Sequence, residues 1–266
     1  MVTLDEGTVL LDVLGHVRCA AKTVDDVPSE GLPGTLVFHD WLEPALEGLR
    51  PGQFVYVITY FDKGNRQSLL ASPETKQQRG AFALRSSDRP NCVGMTLTCI
   101  ELIRGTEIDV SWVDFSDGTP ILDIKVYSNR WECVFSAPGD DRRYFEKQIP
   151  RSALTTVLAR PIRNFAGDIP EADLLAAAGA DLIQEHNVFL HDPNLKVSVR
   201  GSGRLIDGIQ GLTKASFGNG RLSLEDMPSM QFGGFMKVSN LQNSWDIVIT
   251  PEGFTITLGH RDSGDR

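Results

Sequence analysis

From residue 8 to residue 128 the chain repeats one arrangement six times: a short apolar or alternating run closed by a turn signal. The runs are TVLLDVLGHVR (8–18), GTLVFH (34–39), QFVYVITYF (53–61), GMTLTCIELI (94–103), EIDVSWVDF (107–115) and PILDIKVYS (120–128). Short strands punctuated by Gly, Pro, Asn and Asp predict a sheet or a barrel closed on itself. The stretch 54–61 is apolar on both faces, which predicts a central strand. DWLEPALEGL (40–49) is the one helical candidate of note in this half, and Pro44 limits it to a short or broken turn.

A charged, proline-bounded segment, PGDDRRYFEKQIPR, places a boundary around 138–152. The reading is therefore two domains, 1–145 and 150–266. In the second, DIPEADLLAAAGADLIQ (168–184) reads as a helix capped by Asp168, with Pro170 in its first turn and acids at 171 and 173 near the positive end of its dipole. KVSVRGSGRLIDG, GGFMKVSN and SWDIVITPEGFTITLGH return to strands, the last as a hairpin turning at Pro251-Glu252-Gly253. The fold class expected is mainly β: a small N-terminal β-barrel and a smaller α+β C-terminal domain.

The formal net charge is −9. Residues 1–150 carry 15 Lys+Arg against 22 Asp+Glu and residues 151–266 carry 11 against 13, so neither half is a basic module of the kind that grips nucleic acid broadly. The segment MVTLDEGTVLLDVLG holds acids where a secretory signal carries positive charge, and no apolar run has membrane-spanning length. No membrane partner is expected, and the localisation expected is cytoplasmic. Cys19, Cys92, Cys99 and Cys133 form no C-x-x-C pair and read as reduced thiols, with no metal site.

Two stretches carry chemistry. In DFSDGTPILDIKVYS, Asp117-Gly118-Thr119-Pro120 is a turn, and strand alternation after it sets Asp123, Lys125 and Tyr127 on one face with Leu122, Ile124 and Val126 on the core face. That polar face reads either as a solvated Asp-Lys pair that steadies the strand or as an acid, a base and a phenol beside a substrate. In RSSDRPNCVGMTLTCIEL (85–102), two arginines flank a turn just before an apolar strand, as an anion site would require.

GAFALRSSDRPNCVGMT resembles the signature G-x-F-A-T-R-S-x-x-R-P-N-P-I-G-M-S of the TsaA/TrmO-type family, and DGTPILDIKVY resembles its D-G-T-P-x-x-D-I-K-P-Y. The likeness extends to Gly15, to Gly34-Thr35 and to EGLRPGQFVYVITYFD, covers about residues 10–130, and gives nothing for 150–266. It departs at Leu84 for Thr, at Cys92 for Pro and at Val126 for Pro. The resemblance implies a TsaA-like β-barrel, commonly a homodimer, that binds S-adenosylmethionine and methylates the exocyclic amine of threonylcarbamoyl-adenosine beside the tRNA anticodon. It implies cofactor contacts at Phe61, Asp62, Arg85, Leu97, Asp117, Gly118, Thr119 and Pro120. Asp123 and Tyr127 are then the candidate proton acceptors and Lys125 an orienting cation, while Arg79, Arg89 and Asn91 are candidates for holding the acceptor. The acidic balance does not favour tRNA, so methyl transfer to a small molecule or a protein, and a non-catalytic cofactor-binding regulator, stay open beside it.

Weaker signals are read as structural. RGSGRLIDG (200–208) places Ile206 where a dinucleotide-binding G-x-G-x-x-G needs its third glycine, in a context expected to lack a strand-to-helix turn. His186 and His191 fall on opposite faces of an extended segment. Cys92 is expected to be unreactive, and the methionines and phenylalanines of 221–240 to pack in a core.

Overall fold

The computed structural model describes residues 4–5, 7–71, 78–134, 143–225 and 232–259. The chain forms two compact units, Met1–Cys133 and Val134–Arg266. Part of the expected boundary segment lies at 135–142, and Met227 and Met230 lie at 226–231, outside the described residues.

In the first unit six strands, β1 (Gly15–Cys19), β2 (Leu32–Phe38), β3 (Phe54–Tyr60), β4 (Val93–Arg104), β5 (Glu107–Val113) and β6 (Pro120–Val126), close a barrel in the order β6-β1-β2-β5-β4-β3, and β3 pairs back onto β6. Every neighbouring pair is antiparallel. Closure explains why β3 reads as central: it has a partner on both sides, Val55, Val57 and Thr59 point inward, and Tyr56, Ile58 and Tyr60 point outward half-buried. The interior is filled by Val17, Leu36, Val55, Val57, Ile100, Ile108 and Ile121, all fully buried. Asp40–Leu46 forms a single 3₁₀ segment that contains Pro44 and buries Leu42 and Leu46 against this core.

Two details depart from the sequence reading. Of 8–18, only Gly15–Cys19 joins the barrel; Thr8–Val9 pairs with Leu4–Asp5. Adjacent Leu10 and Leu11 cannot share one strand face, and both stand exposed. On β6 the register slips between Ile121 and Asp123, so the simple alternation breaks there. Ile121 is fully buried, Ile124 packs against the core, and Val126, expected inside, is exposed.

The second unit shares one core between helices α1 (Arg151–Ala166), α2 (Ala172–Gln184) and α3 (Gly203–Thr213) and a five-stranded sheet. Its strands are β7 (Lys196–Gly201), β8 (Leu222–Leu224), β9 (Gly234–Ser239), β10 (Ser244–Thr250) and β11 (Gly253–Gly259), in the order β8-β7-β9-β10-β11. The β10–β11 hairpin closes at Thr250 and Gly253 around Pro251-Glu252, as its turn residues predict. Helix α2 starts at Ala172, four residues later than expected; Asp168 instead stands 3.5 Å from Arg163. Glu171, just before it, is fully buried, and its Oε1 accepts from Ser202 Oγ (3.1 Å) and from the Gly233 N–H (3.0 Å).

Helices α1 and α3 are not expected from the sequence. Pro161 inside α1 and the glycines of α3 lower local helix propensity. Burial decides otherwise: Leu154, Leu158 and Ile162 of α1 are core residues, and a Cβ on Gly211 of α3 would lie 2.7 Å from the Pro161 carbonyl oxygen. Gly201 to Gly203 is therefore a strand-to-helix turn, contrary to expectation, with Ser202 Oγ capping α3 by accepting from the Leu205 N–H. Ile206 still occupies the third-glycine position and is buried in the core.

Candidate functional site

The residue after β3, the segment leading into β4, the start of β4 and the residues after β5 build one pocket of about 250 Å³ on the barrel. Phe61, Leu84, Val93, Met95 and Phe115 form its apolar walls, Arg85, Arg89 and Asp114 supply charge, and Phe82 stands at its rim. Phe61 and Phe115 meet ring to ring at 5.9 Å. The approach depends on Gly94, since a Cβ there would fall 2.4 Å from Thr59 Oγ1 and 2.6 Å from Phe61 Cζ. Arg85 donates from Nη2 to the Met95 carbonyl, and Arg89 from Nη1 to the Leu84 carbonyl at 3.5 Å. Neither guanidinium has a carboxylate partner among the described residues. A larger, shallower groove of about 760 Å³ on the barrel wall holds Arg18 and Arg104, but Glu107 and Asp109 already engage them at 2.7 and 2.6 Å.

The loop leading to Gly94 takes an unusual path. Cys92 is fully buried with φ +49°, its thiol donates to the Arg89 carbonyl at 3.0 Å, and its carbonyl accepts the Phe61 N–H at 2.8 Å. Proline, which the resembling motif carries here, is held near φ −65° and cannot follow this path. Asn91 is exposed beside it, and Arg79 sits half-buried in a two-residue ladder with Ala71.

The other candidates group elsewhere. Across β4, β3 and β6, Leu97 pairs with Tyr56 and Tyr56 with Lys125; one register step along, Met95 pairs with Ile58 and Ile58 with Asp123. Leu97, Lys125 and Asp123 thus share the outer face with Met95, about two strand spacings (~10 Å) separating Asp123 from the pocket wall. Lys125 Nζ lies 3.0 Å from Asp123 Oδ2, and Asp123 Oδ1 accepts the Ile124 N–H at 2.8 Å. Tyr127 follows, its ring 6.1 Å from that of Tyr56. Burial first, then the charge of Cys133, holds the Tyr127 phenol above its ordinary range, so it stays protonated at neutral pH. Tyr56 is also raised by burial and by Glu132, while Arg85 pulls the other way. Tyr56, Met95, Phe82 and Phe115 are site residues that sequence reasoning missed; outward alternation on β3 and β4 was the available signal for the first two.

Asp117 to Pro120 do not line the pocket. Asp117 Oδ2 lies 2.8 Å from Lys22 Nζ and Oδ1 accepts the Cys19 N–H at 3.0 Å, and these contacts, the lysine first, hold its carboxyl below the usual range. The Gly118 N–H donates to the Val17 carbonyl, and Thr119 Oγ1 donates to the Ser116 carbonyl at 2.7 Å. This turn staples the end of β1 to the entry of β6. Asp62 is exposed, next to Phe61 but outside the pocket lining.

Residues 22–133 match the family model described as the tRNA-methyltransferase O N-terminal domain. An S-adenosyl-L-methionine-binding protein of Archaeoglobus fulgidus is 29% identical over 49% of this chain and 98% of its own length. A probable S-adenosyl-L-methionine-binding protein, VirR, of Rhizobium radiobacter is 33% identical over 46% of this chain and 72% of its own. The chain belongs to the tRNA-methyltransferase O family. The tRNA (adenine(37)-N6)-methyltransferase of Mus musculus is 37% identical over 32% of this chain but only 21% of its own length. Within the family segment lie the whole pocket and the outer face bearing Asp123, Lys125 and Tyr127.

In the second unit the side chains singled out from the sequence are packed into the structure. His191 Nε2 is 3.1 Å from the Leu212 carbonyl and burial lowers its pKa, while His186 packs 6.2 Å from the Trp245 ring. Met236 lies in the core. Among the described residues no group of His, Cys, Asp or Glu is arranged to hold a metal, and no helix is long and apolar enough to cross a membrane.

Proposed function

We propose that this chain is an S-adenosylmethionine-dependent methyltransferase that N-methylates an adenosine of tRNA, the threonylcarbamoyl-adenosine beside the anticodon. The observation that carries the reading is the pocket, in which two guanidiniums without acid partners among the described residues face an aromatic and aliphatic slot. The residues fit the cofactor's chemistry: Arg85 can clamp a carboxylate, Asp114 can accept from hydroxyl or ammonium groups, and Phe61, Phe115 and Met95 can enclose a flat ring. At about 250 Å³ the pocket is slightly smaller than the roughly 300 Å³ at which small-molecule sites usually begin, so a ligand of the cofactor's size would need room beyond it.

When bound, the cofactor supplies a methyl already activated on a sulfonium, so the protein's task is to place the acceptor nitrogen and take its proton. Asp123 is the proposed proton acceptor and Lys125 the group that orients an anionic part of the acceptor. Tyr127, kept protonated, serves as a hydrogen-bond donor. Asp117 to Pro120 act indirectly, fixing the strand that carries Asp123. Arg79, Arg89 and Asn91 are the groups proposed to meet the acceptor, and the half-buried Tyr56, Ile58 and Leu97 form the surface proposed for a homodimer. With tRNA as acceptor the protein works in the cytoplasm.

The net charge of −9 favours the competing reading, a small-molecule acceptor. Calorimetry tests the cofactor site that both readings share, and nucleoside analysis separates them. Arg85→Ala is expected to weaken cofactor binding by about 1–3 kcal/mol; unaltered affinity would remove Arg85 from the site. Mass spectrometry of tRNA from a deletion strain should show the modified adenosine without its methyl, and unchanged methylation would exclude the tRNA role.

A further inference from the structure

The stretch around the pocket is electrostatically unlike the rest of the barrel. Four other cations of the barrel unit are neutralised: Arg18 by Glu107, Lys22 by Asp117, Arg104 by Asp109 and Lys125 by Asp123. In the described residues 61–71 and 78–95, five cations (Lys63, Arg66, Arg79, Arg85 and Arg89) face two acids, Asp62 and Asp88. None of the five forms an ion pair with a described residue. Three are instead aimed by backbone carbonyls: Arg66 by Pro90 (3.2 Å), Arg85 by Met95 and Arg89 by Leu84 (3.5 Å). Carbonyls orient a guanidinium without cancelling its charge, so this patch of an acidic chain keeps a local demand for anions.

Within this stretch stands Phe82, 80% exposed. Its pedestal is rigid. Ala81, on one side, is buried and its N–H donates to the Leu69 carbonyl at 2.9 Å; the Leu84 N–H closes the turn onto the Ala81 carbonyl at 3.3 Å. The Arg89 guanidinium lies 6.0 Å from the centre of the Phe82 ring. A large apolar ring held out to solvent contributes nothing to the core, and its neighbour is a planar cation with no acid partner among the described residues. Aromatic and guanidinium planes side by side are the means by which proteins hold splayed bases of single-stranded nucleic acid, with adjacent cations on the phosphates.

We propose that Phe82, with Arg89 beside it, is the stacking platform for an unpaired base of the RNA acceptor at the mouth of the pocket, and that Arg66 and Arg79 meet the flanking phosphates. This rests on the RNA reading of the function and names the part of the surface that grips the loop. The cofactor's own ring has the enclosed slot between Phe61 and Phe115, whereas Phe82 faces outward.

The test uses the full chain and a short RNA hairpin whose single-stranded loop carries 2-aminopurine. Wild type should bind it and quench its fluorescence. Phe82→Ala should weaken binding about tenfold or more and remove the quenching, Phe82→Trp should restore both, and cofactor affinity by calorimetry should fall less than RNA affinity does, because Phe82 stands only at the rim of the cofactor pocket. Unchanged thermal unfolding is expected, since the ring is exposed. Hairpin affinity and quenching in Phe82→Ala equal to wild type would overturn the platform while leaving the RNA reading intact. Loss of cofactor affinity in Phe82→Ala matching the loss for RNA would also overturn it, by assigning the ring to the cofactor. A wild type that does not bind the hairpin at low salt would overturn the platform together with the RNA acceptor.

Discussion

Gly94→Ala is the sharpest test of how the fold makes the pocket. Gly94 pairs with Thr59 across β4 and β3, and its absent side chain leaves room for the Phe61 ring edge. An added Cβ would lie 2.4 Å from Thr59 Oγ1 and 2.6 Å from Phe61 Cζ, closer than real contacts allow. Thr59 is fully buried and cannot retreat, so the ring must swing, and the direction left to it is the pocket it lines. Overpacking of this kind costs about 1–3 kcal/mol. For a unit of this size that corresponds to a fall in Tm of about 3–10 °C. Cofactor affinity should fall with it, because a wall of the slot has moved. Gly80→Ala is the control: its φ is −63° and a Cβ there meets nothing within 4 Å, so stability should stay within about 0.5 kcal/mol. The measurements are calorimetric unfolding and cofactor titration. A Gly94→Ala protein with unchanged Tm would refute the packing argument, and one that is destabilised but binds the cofactor normally would refute the role of Phe61.

Asp117 has its folded pKa depressed by Lys22 and the Cys19 N–H, so its contribution is present above the unfolded carboxylate pKa and is lost as pH falls through the lower folded value. Asp117→Asn should therefore be less stable than wild type at neutral pH, with the gap closing below about pH 4 in urea titrations; a gap independent of pH would contradict the staple. Tyr127 is raised, so its phenol is a donor at working pH. Tyr127→Phe should lower the methyl-transfer rate without changing the shape of the pH profile between about 6 and 9, whereas loss of an alkaline limb would make Tyr127 the base. Ser202→Ala removes the cap of α3 and one partner of buried Glu171, and should cost about 1–2 kcal/mol in denaturant unfolding; no measurable loss would mean that the cap is idle.

What a chain determines locally was legible here. The six barrel strands follow from alternation and turn residues, which need no knowledge of partners, and so does the β10–β11 hairpin at Pro251-Glu252. Arg85 was singled out by a long motif and Phe61 by a weaker likeness, and both line the one pocket. What only the tertiary structure decided depends on contacts far apart in sequence. The slip on β6 appears only when that strand must match β3, and with it Ile121 is buried while Val126, expected on the core face, is exposed. Helices α1 and α3 form against their local propensities because Leu154, Ile162, Leu205 and Ile209 are buried together, a gain no window of the sequence contains. The pocket likewise joins Phe61, Phe82, Met95 and Phe115 from four separate segments, while Cys92 takes a positive φ that its neighbours alone would not demand. Residue types and turn signals set which elements the chain could make; closure of the barrel, by forcing each strand to satisfy two neighbours at once, set which side chains met in the site.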